Sequence, residues 1–140
     1  MSITSPSPPS FLLASALVAG GGGLGAWARF ATGRLWSAAI GPVAASAFPW
    51  ATLTANVLGA ALMGVLTGWL ARHGPAGEGW RLLLAVGVLG GYTTFSSFAL
   101  EFALFVQRGQ LGLAAIYVGT SLLAGFAALF GGLYLMRMIG

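Results

Sequence analysis

Residues 110 to 136 read QLGLAAIYVGTSLLAGFAALFGGLYLM, a stretch without a single charged residue. A helix needs about 20 consecutive apolar residues to cross the hydrocarbon core of a bilayer, and this stretch exceeds that length. Strands of a membrane barrel would show alternating polarity over about 10 residues, whereas this stretch is apolar all round. It therefore predicts a transmembrane helix.

Three further apolar stretches meet the same test. The first runs from Phe11 to Ala28, where Arg29 ends it, the second from Trp50 to Ala71, and the third from Leu82 to Val106. The whole chain is 58% hydrophobic and only 6% charged, against about 25% charged for soluble domains. We therefore predict an all-α integral membrane protein with four transmembrane helices per subunit.

The predicted organisation is one transmembrane domain over residues 11–140, preceded by a disordered tail over residues 1–10. The tail contains three prolines and no Lys or Arg, whereas a cleaved signal peptide begins with a basic region. A subunit of four helices is too small to enclose a transport pathway, so two or more copies are expected to come together.

Arginine supplies all six positive charges of the chain, and the arginines are scattered singly at the ends of the apolar stretches. This distribution is typical of a membrane interface and not of a patch that binds nucleic acid. One side of the membrane would hold Arg72, Arg81 and Arg137, and the other Arg29, Arg34 and Arg108. Because an excess of Lys and Arg sets the orientation, an equal division predicts dual topology, in which chains insert both ways and pair antiparallel, unless the tie is accidental.

The inventory of reactive side chains argues against an enzyme. The chain has one His, no Cys and two carboxylates, too few for a metal cluster or a nucleophile triad within one subunit. His73 lies in a turn between two spans and is expected to be a solvated loop residue. Several glycines instead recur at a spacing of four, which permits close contact between membrane helices. These pairs are Gly21 and Gly25, Gly64 and Gly68, and Gly87 and Gly91.

The most informative polar stretch lies inside the third span, where residues 87–101 read GVLGGYTTFSSFALE. Two Gly followed by two β-branched Thr weaken a helix at this point. Non-helical backbone at membrane depth is tolerated only where it is buried in protein or lines a wet cavity. We therefore predict that the third helix is broken in mid-membrane, and a bound cation is one candidate partner for the freed carbonyls.

Hydroxyls and aromatic rings occur together at this predicted break. Thr94, Ser96 and Ser97 supply hydroxyl donors, while Phe95 and Phe98 lie three residues apart on one helix face. An aromatic ring is positive at its edge, so ring edges beside hydroxyls would suit an anion. The alternative is that the two phenylalanines only pack against neighbouring helices.

Two other polar residues lie within apolar spans. Asn56 is either a contact between helices or a residue of a pathway, and its amide offers two donors to an anion without fixing a positive charge. Glu101 is the only carboxylate within a span, which makes it a functional candidate, but it lies close enough to Arg108 to be an interfacial residue instead.

Three segments together resemble the Fluc (CrcB) fluoride-channel family in their order and spacing. They read GGLGAWARF at 22–30, TLTANVLG at 52–59 and GGYTTFSSFALE at 90–101, of which the third is the most specific. The resemblance extends from about residue 20 to the end of the chain. It implies a dual-topology homodimer of antiparallel four-helix subunits, with two fluoride pores and a structural Na⁺ at the dimer centre.

The resemblance also implies roles for individual residues. By position, the residues of the pore or of fluoride binding would be Asn56, Thr94, Phe95, Ser97, Phe98, Tyr117 and Ser121. The backbone carbonyls of Gly90 and Thr93 would hold the Na⁺, which is not transported. Arg29 and Glu101 belong to the matching segments without an assigned role.

These observations predict a multi-pass channel of the inner cell membrane that passively exports fluoride and so lowers its toxic cytoplasmic concentration. Its partners would be fluoride, an antiparallel second copy and the lipid bilayer. The alternative is a proton-coupled small-molecule exporter of the four-helix, dual-topology kind, with Glu101 as the proton carrier. That class is expected to carry a carboxylate in its first span, which has none here.

Overall fold

The computed structural model describes residues 8–139, and this part of the chain contains helices and connecting turns but no β-strand. Residues 1–7 of the predicted tail lie outside the described residues, and residues 8–10 precede the first helix. Four helical stretches are long and apolar enough to cross a membrane, which confirms the predicted all-α class with four spans. They are Phe11–Ile40, Trp50–Leu70, Gly74–Gln107 and Leu111–Ile139.

The third span is composed of several helical pieces, whereas the other three are continuous. The helices in chain order are α1 (Phe11–Ile40), α2 (Pro42–Ala47), α3 (Trp50–Leu70), a 3₁₀ turn (Gly74–Gly77), α4 (Glu78–Trp80), a π-helix (Arg81–Leu89), α5 (Gly90–Tyr92), α6 (Phe95–Gln107) and α7 (Leu111–Ile139).

The first helix is longer than the apolar stretch that predicted it. Arg29 does not end α1, which continues for 11 further residues to Ile40 and stops at Gly41, whose φ of 84° no other residue adopts easily. Arginine is a good helix former, so a charge limits the apolar stretch without ending the helix. At about 1.5 Å per residue, the 30 residues of α1 extend about 45 Å, more than the bilayer core requires.

Two residues with extended backbone separate α5 from α6. Thr93 has φ −77° and ψ 158°, and Thr94 has φ −153° and ψ 125°. The helix resumes at Phe95, where the Thr94 hydroxyl accepts a hydrogen bond of 3.2 Å from the Ser97 N–H and so caps α6. This short interruption places hydroxyl groups and the positive end of the α6 dipole at one location.

Glycines bring α1 into backbone contact with the third span. Gly21 and Gly25 are the buried residues of α1, and Gly87 of the π-helix lies directly against Gly21. A methyl group added to Gly25 would overlap the carbonyl oxygen of Val88, and one added to Gly91 would overlap the backbone of α1. The predicted close contacts at these two glycine pairs are confirmed.

The remaining glycine pair brings α3 against α7. A methyl group on Gly64 would overlap the Leu129 carbonyl oxygen, and Gly132 of α7 meets the backbone of α3 in the same way. One turn further along α3, Gly68 accommodates the side chain of Met136. Small residues thus set the spacing of both helix pairs, as the four-residue spacing predicted.

We expect Gly25→Ala to destabilise the protein by about 1–3 kcal/mol, because its methyl group would meet immovable backbone of the third span. Thermal unfolding of the purified protein in detergent measures this loss. Gly23→Ala is the matched control, since a methyl group there meets open space and alanine favours the helix. Equal stability of the two variants would contradict the close packing of α1 on the third span.

Candidate functional site

A groove of about 420 Å³ lies beside the interruption of the third span, between α3 and α7. It contains six of the residues singled out in the sequence, namely Asn56, Thr93, Thr94, Phe95, Phe98 and Ser121. The other lining residues are Gly59, Ala60, Met63, Leu122, Gly125, Phe126 and Leu129. Three separate segments of the sequence therefore contribute polar groups to one mainly apolar groove.

Asn56 holds the extended backbone of Thr94 through two hydrogen bonds. The Thr94 N–H donates to Asn56 Oδ1 at 2.8 Å, and Asn56 Nδ2 donates to the Thr94 carbonyl at 3.0 Å. Because a backbone N–H can only donate, these bonds fix which end of the amide is oxygen. One Nδ2 hydrogen remains for another acceptor, so Asn56 both contacts a neighbouring helix and offers a donor to the groove.

Ser121 contributes a hydroxyl that has no partner among residues 8–139. Its Oγ is buried and makes no hydrogen bond there, although a serine in a helix often bonds the carbonyl four residues earlier. An unpaired buried hydroxyl is unfavourable by about 1–3 kcal/mol, which indicates that a ligand or water completes it.

The two phenylalanines lie side by side at the start of α6. Their ring centroids are 5.9 Å apart, and the planes are inclined by 41°. Phe95 is 79% exposed, whereas Phe98 is partly buried and its ring lies 5.1 Å from that of Tyr117. The Phe95 ring is thus accessible from outside this chain, whereas the Phe98 ring packs against Tyr117 within it.

Tyr117 and Glu101 form a second polar cluster behind Phe98. Tyr117 is fully buried, and its hydroxyl donates to Glu101 Oε2 at 2.6 Å. Thr52 of α3 donates to the other oxygen, Oε1, at 2.7 Å. The Glu101 carboxylate is therefore directed into the bundle and held by hydroxyls from two other spans. Tyr117 does not line the groove itself.

The interruption of the third span leaves the Gly90 carbonyl without its usual partner. In a continuous α-helix the Thr94 N–H would donate to it, but here that N–H donates to Asn56. The Thr93 carbonyl instead accepts a hydrogen bond of 3.1 Å from the Arg29 guanidinium. A carbonyl oxygen has two lone pairs, so Thr93 retains one, beside a fixed positive charge.

The sequence of this chain matches a known protein family over most of its length. Residues 16–133 match the model of the family described as CrcB-like protein, Camphor Resistance (CrcB), which covers all but the ends of the chain. The chain belongs to the CrcB family. The match confirms the family that the three sequence segments indicated.

Similar CrcB relatives carry a common name. A fluoride-specific ion channel FluC of Novosphingobium aromaticivorans is 59% identical over 126 residues, which cover 90% of this chain and 98% of that protein. Another of Rhodospirillum centenum is 51% identical, with 86% and 92% covered. A third, of Caulobacter vibrioides, is 47% identical, with 88% and 94% covered.

The residues singled out in this CrcB sequence fall into two groups by position. Asn56, Phe95, Phe98 and Ser121 face one groove together with Thr94, whose hydroxyl also caps α6. Ser97, Gly90 and the Tyr117–Glu101 pair lie outside its lining. Ser97 takes part in the cap, since the Thr94 hydroxyl donates to Ser97 Oγ at 3.2 Å.

Sequence reasoning missed two contacts of this CrcB chain. Arg29 was expected at a membrane surface, but its partly buried side chain donates to the Thr93 carbonyl of the third span. Thr52 had no role of its own, yet it binds Glu101. A signal existed in both cases, because an isolated charge or hydroxyl within a matching segment requires a partner when buried.

Proposed function

We propose that this protein is a fluoride-specific channel that passively exports fluoride and so reduces its cytoplasmic concentration and toxicity. The observation that carries the proposal is the convergence on one groove of an unpartnered Ser121 hydroxyl, a remaining Asn56 amide hydrogen and the two phenylalanine rings. All four are neutral groups that present positive charge to an anion. The FluC names of relatives up to 59% identical support the same ion.

Selectivity would arise from the replacement of fluoride's water shell by fixed donors. Asn56 Nδ2, Ser121 Oγ and the ring edges of Phe95 and Phe98 would take the place of water, as carbonyls do for cations in potassium filters. The N-terminus of α6 and the Arg29 guanidinium add positive potential at the same level. No carboxylate lines the groove to repel the ion.

We propose that the path continues behind Phe98 towards the second polar cluster. Phe98 contacts Tyr117, whose hydroxyl is committed to Glu101 in this structure. Tyr117 would meet fluoride only when that hydrogen bond opens. The pair would then form one end of the conduction path, with Thr94 and Ser97 at its middle.

The proposal includes an antiparallel homodimer with dual topology. The groove is open on one side, and Phe95 and Phe126, exposed by 79% and 58%, stand at its rim. Without a partner, the open groove and the Asn56 donor that lines it would face lipid, where an unsatisfied polar group is unfavourable by several kcal/mol. A second copy would cover the groove and convert it into an enclosed pathway at mid-membrane.

A structural Na⁺ is proposed at the centre of this dimer, at the interruption of the third span. The freed Gly90 carbonyl and the remaining lone pair of Thr93 fit such a site, and two chains would supply four carbonyl oxygens. The ion would join the two interrupted helices to each other. The neighbouring Arg29 charge weakens cation binding here, which makes Gly90 the more important ligand.

The proposed location is the inner cell membrane, with lipid around the four spans. Fluoride enters cells as membrane-permeant HF and is trapped inside as the anion. A channel that conducts only the anion then lets the membrane potential expel fluoride without a fuel. A proton-coupled exporter with Glu101 as carrier has less support, because both Glu101 oxygens are occupied by hydroxyl donors from neighbouring spans.

Fluoride efflux from liposomes that contain the purified protein tests this function. We expect rapid efflux of fluoride when a potassium ionophore provides the counter-current. Chloride efflux should be slower by at least about a hundredfold, which corresponds to a barrier difference of about 2.7 kcal/mol. Equal fluxes of the two anions would overturn the proposal, as would fluoride efflux that depends on a proton gradient.

Replacing Phe95 with Ile is expected to reduce fluoride efflux by about tenfold or more, because the positive ring edge is lost while the bulk remains. Phe98→Ile should act in the same direction and also disturb Tyr117. The matched control is Phe11→Ile, since Phe11 is 84% exposed at the start of α1, a helix that contributes no residue to the groove. Wild-type efflux in both groove variants would reduce the pair to packing residues.

A further inference from the structure

A second groove of about 560 Å³ lies on another part of the surface, between α3 and the first half of the third span. Its lining contains no charged residue and, apart from two indole rings, no polar side chain. The lining residues are Leu62, Val65, Leu66, Trp69, Trp80, Leu84, Val88, Leu89 and Met136. None of them lines the first groove, so the two are separate features.

Aromatic rings mark one end of this groove. Trp69 and Trp80 meet edge to face, with ring centroids 6.5 Å apart. The ring of His73, in the turn that follows α3, is inclined by 34° to that of Trp69, with the centroids 4.1 Å apart. Tryptophan is enriched where a membrane protein crosses from hydrocarbon to lipid headgroups, so this end lies at the headgroup level and the rest of the groove at acyl-chain depth.

Two arginines lie near the tryptophan end of the groove. The Arg72 guanidinium donates to the carbonyl of Met136, whose side chain lines the groove, and Arg137 follows directly in the exposed last turn of α7. Arg81 also lies nearby in sequence, but Glu78 pairs with it at 2.8 Å. Arg72 and Arg137 have no carboxylate partner among the described residues. The mouth of an apolar groove therefore carries two uncompensated positive charges.

We propose that this groove binds one acyl chain of an anionic phospholipid, whose phosphate is held by Arg72 and Arg137. Guanidinium groups bind phosphate oxygens bidentately, and basic pockets between transmembrane helices are known to receive anionic headgroups. The acyl chain fills the apolar part, and the two indole rings lie at the boundary between chain and headgroup.

Charge distinguishes a lipid from a second copy of the chain as the occupant. The protein has only two carboxylate side chains, of which Glu101 is hydrogen-bonded inside the bundle and Glu78 is paired with Arg81. Another copy therefore has no unengaged carboxylate side chain with which to neutralise Arg72 and Arg137. A phospholipid phosphate supplies that charge together with a chain that matches the apolar lining.

Native mass spectrometry of the full-length protein, released from micelles with equal phosphatidylglycerol and phosphatidylcholine, tests the proposal. We expect preferential retention of one phosphatidylglycerol per chain, reduced about tenfold or more in R72Q/R137Q. R34Q/R108Q removes the same number of charges elsewhere and should retain the lipid, because retention is counted per chain whatever the orientation of the chain in the membrane. Equal retention of the two lipids by the wild type, or equal losses in the two double variants, would overturn the proposal.

A variant that fills the groove provides an independent test. L62W places an indole in the groove, whereas L123W adds the same ring on a surface of α7 that is already 75% exposed. We expect L62W alone to lose the lipid while its oligomeric mass stays unchanged. If L62W instead separates the oligomer and leaves lipid retention intact, the groove is a subunit contact and the proposal is wrong. If L62W does not fold, the arginine variants decide.

Discussion

Asn56→Asp is expected to reduce fluoride efflux by about a hundredfold or more, the largest effect of any single substitution considered. The wild-type amide accepts from the Thr94 N–H and donates to the Thr94 carbonyl. A carboxylate keeps the first bond but faces the Thr94 carbonyl with an acceptor, so that the second bond becomes a repulsion. It also places a negative charge on the groove that is proposed to conduct an anion.

Efflux from liposomes measures this effect, and two checks separate its causes. Asn56→Ser keeps a neutral donor in the groove but is too short to bond both Thr94 groups, so we expect an intermediate loss. Thermal unfolding in detergent reports whether the interruption of the third span remains intact. An Asp variant that conducts at the wild-type rate would mean that Asn56 only joins two helices and has no part in conduction.

The second large effect concerns orientation in the membrane. The structure changes the arginine count, because the Arg29 side chain is partly buried and donates to the Thr93 carbonyl of the third span, whereas Arg34 is exposed. The count is then three against two, with Arg72, Arg81 and Arg137 on one side of the membrane and Arg34 and Arg108 on the other. A difference of one is still close to a tie, so small additions of charge are expected to fix the orientation.

Lysines at Ala71 and Ala76 should hold the loop between the second and third spans in the cytoplasm, while lysines at Ala38 and Ala39, near Arg34, should impose the opposite orientation. All four alanines are exposed, so the substitutions disturb no packing. Either variant alone lacks an antiparallel partner and should fail to protect a fluoride-sensitive host. Expression of the two together should restore resistance.

Glutamine at the same four positions is the matched control and should leave protection unchanged, because it adds bulk without charge. Growth in fluoride and liposome efflux both measure the outcome. Dual topology is contradicted if one fixed-orientation variant protects fully by itself, since a single orientation would then be sufficient for the working assembly.

Sequence alone determined the number and kind of spans. A charged residue is unfavourable in the hydrocarbon core, so long uncharged stretches mark the segments that can cross it. It also predicted the close contacts of Gly21 and Gly25 and the weakness of the helix near Gly90, since both follow from local chemistry. Family resemblance singled out Asn56, Phe95, Phe98 and Ser121 before their common groove was visible.

Only the tertiary structure decided which of these groups meet. The spans are apolar around their whole circumference, so no amphipathic stripe indicates how each helix is rotated about its axis. That rotation brings Asn56 to the Thr94 backbone, Arg29 to the Thr93 carbonyl, and Thr52 with Tyr117 to Glu101. Partners that are 16 to 64 residues apart in sequence are fixed by helix packing, which depends on the bundle as a whole and not on any local stretch.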